Sequence, residues 1–106
     1  MTPERVVARL KVSESLTTVG GSVHGGTLMA LADTIGAAGT AATLAEGQRT
    51  ATLESKTNFI SGCRSGTIQA EAKPIHKGKR THVWETRITD EAGKLLSVTT
   101  QTQMIL

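Results

Sequence analysis

Apolar and polar side chains alternate from the start of the chain. In residues 5–12, Val6, Ala8, Leu10 and Val12 fall on one side, and Arg5, Arg9 and Lys11 on the other. That two-residue period predicts a half-buried strand. Residues 13–22 are rich in Ser, Thr and Gly and predict a loop. The period then changes. From Val23 or Gly26 to about Leu44, the residues Leu28, Leu31, Ala32, Ile35, Ala38 and Ala42 recur at helical spacing, with Met29 a further apolar position. The remaining side carries Ala30, Gly36, Ala37 and Gly39 rather than charge. This pattern predicts a helix buried nearly all round. Its glycines weaken it locally and are expected to admit the close approach of a neighbour. Gly47 is expected to cap its C-terminal end.

Four further strands are predicted, and no further helix. Residues 49–60 are rich in Thr and alternate weakly. Residues 67–76 set Ile68, Ala70 and Ala72 against Thr67, Gln69, Glu71 and Lys73. Residues 80–89 set His82, Trp84, Thr86 and Ile88 against Thr81, Val83, Glu85 and Arg87, and residues 94–106 form the last strand. Turns are expected at residues 61–66, 77–79 and 90–93, the last a hairpin turn with Gly93. The order β-α-β-β-β-β with short late connections predicts an antiparallel meander of the last four strands. One long helix on one such sheet is a two-layer α+β domain, and 106 residues make a single domain, 1–106.

Composition narrows the setting. Phe59 and Trp84 are the only aromatic residues. A core of small residues covered on one side is marginal for a chain this size, so self-association is expected. The net charge of +3 permits an anionic partner and selects none. The shortage of stacking aromatics argues against single-stranded nucleic acid. Cys63 is the only cysteine, so no intrachain disulfide forms, which suits the cytoplasm. The stretch Met1-Thr2-Pro3-Glu4-Arg5 has no apolar core, and no secretory signal is expected there. Residues 26–45 approach membrane-spanning length but are rich in Ala, Gly and Thr and contain Asp33. A buried helix of a soluble domain is therefore expected rather than a membrane span.

The sequence Gly21-Ser22-Val23-His24-Gly25-Gly26, followed on the helix by Leu31-Ala32-Asp33, resembles the hotdog-fold acyl-CoA thioesterases. The likeness is to the small phenylacetate-type and 4-hydroxybenzoyl-CoA thioesterases. It extends to Thr52-Leu53-Glu54-Ser55-Lys56-Thr57-Asn58-Phe59-Ile60, to the turn Lys77-Gly78-Lys79-Arg80 and to the hairpin at residues 90–95, and so covers nearly the whole chain. The resemblance implies a sheet wrapped around the helix. It also implies a dimer with a continuous sheet, often paired again into a tetramer, with two active sites at the dimer interface. The activity implied is hydrolysis of an acyl-CoA to a free acid and coenzyme A. No metal or redox cofactor takes part, and coenzyme A enters as part of the substrate.

The chemistry suits these residues. Backbone N–H groups at a helix start have no intrahelical acceptor and lie in the positive end of the helix dipole. Glycine lets a substrate approach them. The Gly25 N–H, with that of Gly26, is the candidate oxyanion donor. Asp33 lies more than two turns beyond Gly25, too far for both to meet one carbonyl within a subunit. A two-fold dimer would bring Gly25 of one chain to Asp33 of its partner. Asp33 would act as nucleophile or as general base. His24 is expected to hydrogen-bond a substrate carbonyl or the loop backbone, in a positioning role. His24, His76 and His82 show no metal-ligand spacing with Cys63 or the carboxylates.

Other roles rest on the resemblance alone. Thr52 matches a strand position where relatives place a hydroxyl near the catalytic carboxylate. Thr18 stands where many relatives have Asn or Gln, a departure that bears on rate and substrate choice. The family binds the nucleotide of coenzyme A with basic loop residues, which here would be Arg64, Lys77, Lys79 and Arg80. Phe59 would line the acyl pocket. Three rivals remain open. One is a non-catalytic acyl-CoA-binding or regulatory module of the same fold. The others are a basic nucleic-acid-binding domain with steep salt dependence and a dehydratase of the same fold.

Overall fold

A computed structural model describes residues 2 and 4–106; Met1 and Pro3 of the amino-terminal stretch read above lie outside the described residues. Strand β1 is Val6–Lys11, helix α1 is Gly25–Ala41, and strands β2 to β5 are Thr50–Phe59, Thr67–Lys77, Thr81–Thr89 and Leu95–Ile105. A short 3-10 turn, Glu14–Leu16, lies between β1 and α1. All pairings in the five-stranded sheet are antiparallel, in the order β1-β3-β4-β5-β2. The helix lies across one face of it, giving the two-layer α+β arrangement that the alternation predicts.

The alternating stretches fold as their patterns require. Ile68, Ala70 and Ala72 of β3, Trp84 and Ile88 of β4, and Leu96 of β5 are fully buried against Leu28 and Ile35 of α1. The opposite face of β3 and β4 carries charge pairs such as Arg5–Glu71 and Arg87–Glu85. The inner face of β5 is polar instead: Ser97, Thr99, Gln101 and Gln103 are all fully buried.

The predicted meander is corrected. Strands β3, β4 and β5 are consecutive neighbours, but β2 pairs with β5 and not with β3. Residues 61–66 are therefore no tight turn but part of a crossing from one side of the sheet to the other. Three strand spacings are about 14 Å, and the seven residues 60–66 can reach about 23 Å when extended. The crossing keeps its backbone satisfied. The N–H groups of Ile60 and Ser61 donate to Leu96 O, Val23 N–H donates to Cys63 O, and Val12 N–H donates to Gly66 O. Cys63 is buried in this segment, with its Sγ donating to Ser65 O at 3.2 Å.

Two expectations for the helix are also corrected. It ends at Ala41 with Ala42 as its C-cap, and Gly47 occupies a separate turn closed by Gln48 N–H to Ala45 O. It is not covered all round. Gly36 and Gly39 lie on the buried, sheet-facing side, where a Cβ would strike Gln101 and Trp84 respectively. Met29, Ala30 and Thr34 stay exposed on the other side, uncovered by the sheet.

Candidate active site

The loop before α1 turns back on itself before it enters the helix. Thr18 N–H donates to Ser22 O and Gly21 N–H to Thr18 O, a three-residue hairpin loop with Gly21 at φ 85°, the conformation such loops assign to glycine. The entry then runs through His24, which caps the helix at φ −66° and ψ 135°. Its Nδ1 accepts from Gly26 N–H at 2.9 Å. The neutral ring then carries its proton on Nε2. Of the two N–H groups proposed as oxyanion donors, that of Gly26 is thus occupied. The Gly25 N–H donates to no group among the described residues.

Gly25 also makes room for an aromatic ring. A Cβ there would stand 3.0 Å from Cε1 and Cζ of Phe59. Phe59, 54% exposed, forms with Val23, Leu28 and Ile60 the apolar part of a cavity of about 350 Å³ at the helix start, which the half-buried Gly25 also lines. Phe59 therefore lies beside the Gly25 amide at the helix start.

Asp33 is half-buried, eight residues further on and about 12 Å along the helix axis. Its face of the helix includes Met29 and Ala37. Thr52 Oγ1 donates to Asp33 Oδ1 at 2.5 Å. Gln103 Nε2 donates to Thr52 Oγ1 at 2.7 Å, and Gln101 Nε2 donates to the backbone O of Asp33 at 3.4 Å. Asp33 Oδ2 has no hydrogen-bond partner among the described residues. The approach of Thr52 depends on a bulge. Ser55, Thr57 and Phe59 pair with Gln101, Thr99 and Ser97 and face inward. An unbroken two-residue period would then point Thr52 outward. The register shift between Thr52 and Glu54 extrudes Leu53, 60% exposed, and turns Thr52 back toward the helix.

The remaining candidates are dispersed. Thr18 is exposed, at the base of its hairpin loop. Arg64 reaches the Gly21 backbone and lines a cavity of about 650 Å³ with Lys94, Asp90 and Glu91. Lys77, Lys79 and Arg80 belong to the β3–β4 hairpin, close to the C-terminal part of the helix, where His82 meets Thr40. Lys77 Nζ lies 3.3 Å from Glu4 Oε1. One chain therefore does not gather Arg64 with the other three bases.

Two buried features escaped the sequence reading. Trp84 Nε1 donates to Thr40 Oγ1 at 2.9 Å, and Thr40 Oγ1 lies 3.0 Å from His82 Nδ1. The threonine oxygen accepts from the tryptophan and makes its second hydrogen bond with the histidine ring. Burial pushes His82 below the ordinary histidine range, with Lys77 and His76 adding to the effect. The other feature is the glutamine pair on β5. Its signal was a polar residue at every second position from Ser97 to Gln103, a pattern that reads equally as a solvated face. Among the described residues, no group of three His, Cys, Asp or Glu side chains is placed to hold a metal ion. No helix among them is long and apolar enough to cross a membrane.

One long helix laid on a five-stranded antiparallel sheet in the order β1-β3-β4-β5-β2 is a hotdog fold. Residues 20–97 match the Thioesterase superfamily, and the chain belongs to that family. Among individual relatives, it is 35% identical over 94 residues to the 1,4-dihydroxy-2-naphthoyl-CoA hydrolase of Listeria monocytogenes, covering 89% of this chain and 76% of that protein. It spans only 63% of the Escherichia coli protein of the same name, at 38% identity over 81% of this chain. A crystal structure of a Haemophilus influenzae thioesterase superposes with a TM-score of 0.93 at 32% identity, over 97% of this chain and 72% of that one. A hypothetical thioesterase from Streptococcus pneumoniae, crystallised with coenzyme A, superposes at 0.92 with 26% identity, over 100% of this chain and 81% of that one.

Proposed function

We propose that this protein is an acyl-CoA thioesterase, releasing a free carboxylic acid and coenzyme A. The observation that carries the reading is the Asp33 carboxylate. One oxygen is held by Thr52, the other has no partner among the described residues, and those residues leave much of the helix face around it, at Met29 and Ala30, exposed. The Gly25 N–H, unpaired at the dipole-positive end of the helix, would hold the carbonyl oxygen as it gains charge. About 12 Å separates the two along one helix, so both serve one thioester only if two chains share the site. The working unit is thus a homodimer whose sheets join, with pairing into a tetramer as the further expectation.

Attack begins at the Asp33 carboxylate. As a nucleophile it would form a mixed anhydride and expel the coenzyme A thiolate, with water then cleaving the anhydride. As a general base it would take a proton from a water attacking the same carbon. Neither route needs a metal or redox cofactor. The cavity under Phe59 would take the acyl group. The names of the Listeria and Escherichia relatives favour an aromatic acyl group, and the Streptococcus structure supports coenzyme A as the carrier. A cytoplasmic setting completes the reading, in keeping with a single unpaired cysteine.

The test is thiol release from benzoyl-, phenylacetyl-, hexanoyl- and palmitoyl-CoA, with wild type beside Asp33→Asn. Turnover lost in the variant is the expected result. Tight binding of all four without turnover by the wild type would instead identify a non-catalytic acyl-CoA-binding module. An active species sedimenting as a monomer would contradict the shared site.

A further inference from the structure

A threonine hydroxyl has one proton and rotates freely unless its surroundings decide where that proton points. At Thr52 the decision is made by Gln103. This glutamine is fully buried on β5, and its Nε2 donates to Thr52 Oγ1 at 2.7 Å. Once Thr52 Oγ1 accepts that bond, its own proton has to leave in another direction, and Asp33 Oδ1 stands there at 2.5 Å. A flipped amide would present an oxygen to Thr52 and compete with Asp33 for the proton. The Asp33 carboxylate settles the orientation: it only accepts, so the Thr52 proton lies toward Asp33 Oδ1 and a flipped amide would set two acceptor oxygens against each other. At the far end Thr50 Oγ1 lies 3.0 Å from both Gln103 Oε1 and Met104 O. The bonds therefore run in one direction, from Gln103 through Thr52 to Asp33. In such a chain each donor polarises the next. Thr50 and Thr52 both reach Gln103 because the bulge at Leu53 sets them on the inner side of β2.

We infer that Gln103 is a positioning residue of the active site, fixing the Thr52 proton on Asp33 Oδ1 and so leaving Oδ2 as the atom that meets water or thioester. Gln103 touches neither reactant. It acts through Thr52, and the inference rests on the proposed thioesterase reading for its kinetic consequence but not for its geometry. Four residues on three elements carry the arrangement. Thr50 and Thr52 are on the edge strand, Gln103 on its neighbour, and Asp33 on the helix above.

The first experiment needs no turnover. The chain has four glutamines, Gln48, Gln69, Gln101 and Gln103, so their side-chain amide resonances are readily assigned in a labelled sample. Asp33→Asn should shift the Gln103 amide signals, and the same change in a Thr52→Val background should not. A Gln103 amide blind to Asp33 in both backgrounds overturns the inference whether or not the protein hydrolyses thioesters. The second experiment is kinetic, on benzoyl-CoA. Gln103→Met keeps the length and packing of the side chain but removes the donor. It should lower kcat about tenfold with KM within about twofold, Thr52→Val should do the same, and the double variant should fall no further, since residues in one network are not additive. Gln103→Glu supplies a second variant. Burial and the nearby Asp33 raise its carboxyl above the usual carboxylate range. Protonated it donates to Thr52 as the amide does, and ionised it only accepts, so its kcat should fall below that of wild type as pH rises through this titration. A pH profile parallel to that of wild type would count against the inference. Losses in the double variant that multiply, or a raised KM at unchanged kcat, would leave Gln103 a packing residue only.

Discussion

Replacing Gly39 by alanine places a methyl group inside the ring of Trp84. The added carbon would stand 2.5 Å from Cζ2, 3.0 Å from Cζ3 and closest to Cη2. Carbon atoms rest comfortably at about 3.5–4.0 Å, so helix and ring must part by about 1 Å. The ring has nowhere to go. Trp84 is fully buried and tied through Nε1 to Thr40, the next residue along the helix, which in turn meets His82. Overpacking a core costs about 1–3 kcal/mol, and a buried group left unpaired adds about 1–3 kcal/mol. Alanine's better helix propensity returns about 1 kcal/mol. The expected net loss is about 1–5 kcal/mol, and the middle of that range lowers Tm by the order of 15 °C for a domain of this size. Trp84 is the only tryptophan, so its fluorescence reads the perturbed site directly during urea or thermal unfolding, at fixed protein concentration because association shifts the midpoint. Asp33 rides the same helix, so a lifted helix also stretches the Thr52 bond and reduces turnover of the folded fraction. A variant as stable as wild type, with unshifted tryptophan emission, would refute the reasoning and show that the helix has slack above β4.

Three other outcomes are expected. Gly25→Pro removes the free N–H at the first helical position, where the proline backbone is well tolerated after the extended His24; its Cβ presses on the exposed Phe59 ring, and Gly25→Ala, which presses there equally but keeps the N–H, is the control. Far-ultraviolet dichroism should hold while kcat falls about 10²–10³-fold, and undiminished turnover would exclude the Gly25 amide as oxyanion donor. The folded protein protonates His82 at lower pH than the unfolded chain. The stabilising share of this site is therefore complete above the ordinary histidine value of 6.5 and is lost as pH falls from there through the depressed value. Melts from pH 7.5 to 5 should show that slope in wild type and lose it in His82→Asn, and equal slopes would clear His82 of the effect. Deleting Leu53 erases the bulge and turns Thr52 and Thr50 away from the helix, so thiol release should drop to the level of Thr52→Val. Full activity in the deletion variant would mean that Asp33 does not depend on this strand.

The parts of the fold legible in the sequence are those where one face is apolar and the other charged. Residues 67–73 and 82–88 declare their inner faces because Ile, Ala and Trp alternate with Gln, Glu, Lys and Arg. Strand β2 offered no such contrast. It is an edge strand whose residues are mostly exposed on both faces, and its partner was misjudged because the following segment is short enough for a turn yet long enough to cross the sheet. Gly36 and Gly39 were legible as points of close approach, but not the side they face, since a glycine carries no hydropathy. In the candidate site, His24, Gly25 and Asp33 are local to one stretch. Thr52 came from family likeness alone. Gln103 lies 70 positions from Asp33, and a buried polar stripe on β5 is chemically indistinguishable, residue by residue, from a wet one. The bulge that joins them has no signature at all, because Leu53 is an ordinary strand residue.

The crossing segment buries the protein's single thiol, with Sγ occupied by Ser65 O. A colorimetric disulfide reagent added to trap liberated coenzyme A will therefore meet a silent protein, and the baseline belongs to the substrate alone. A slow colour rise without substrate would time the spontaneous opening of that strap beside the helix mouth.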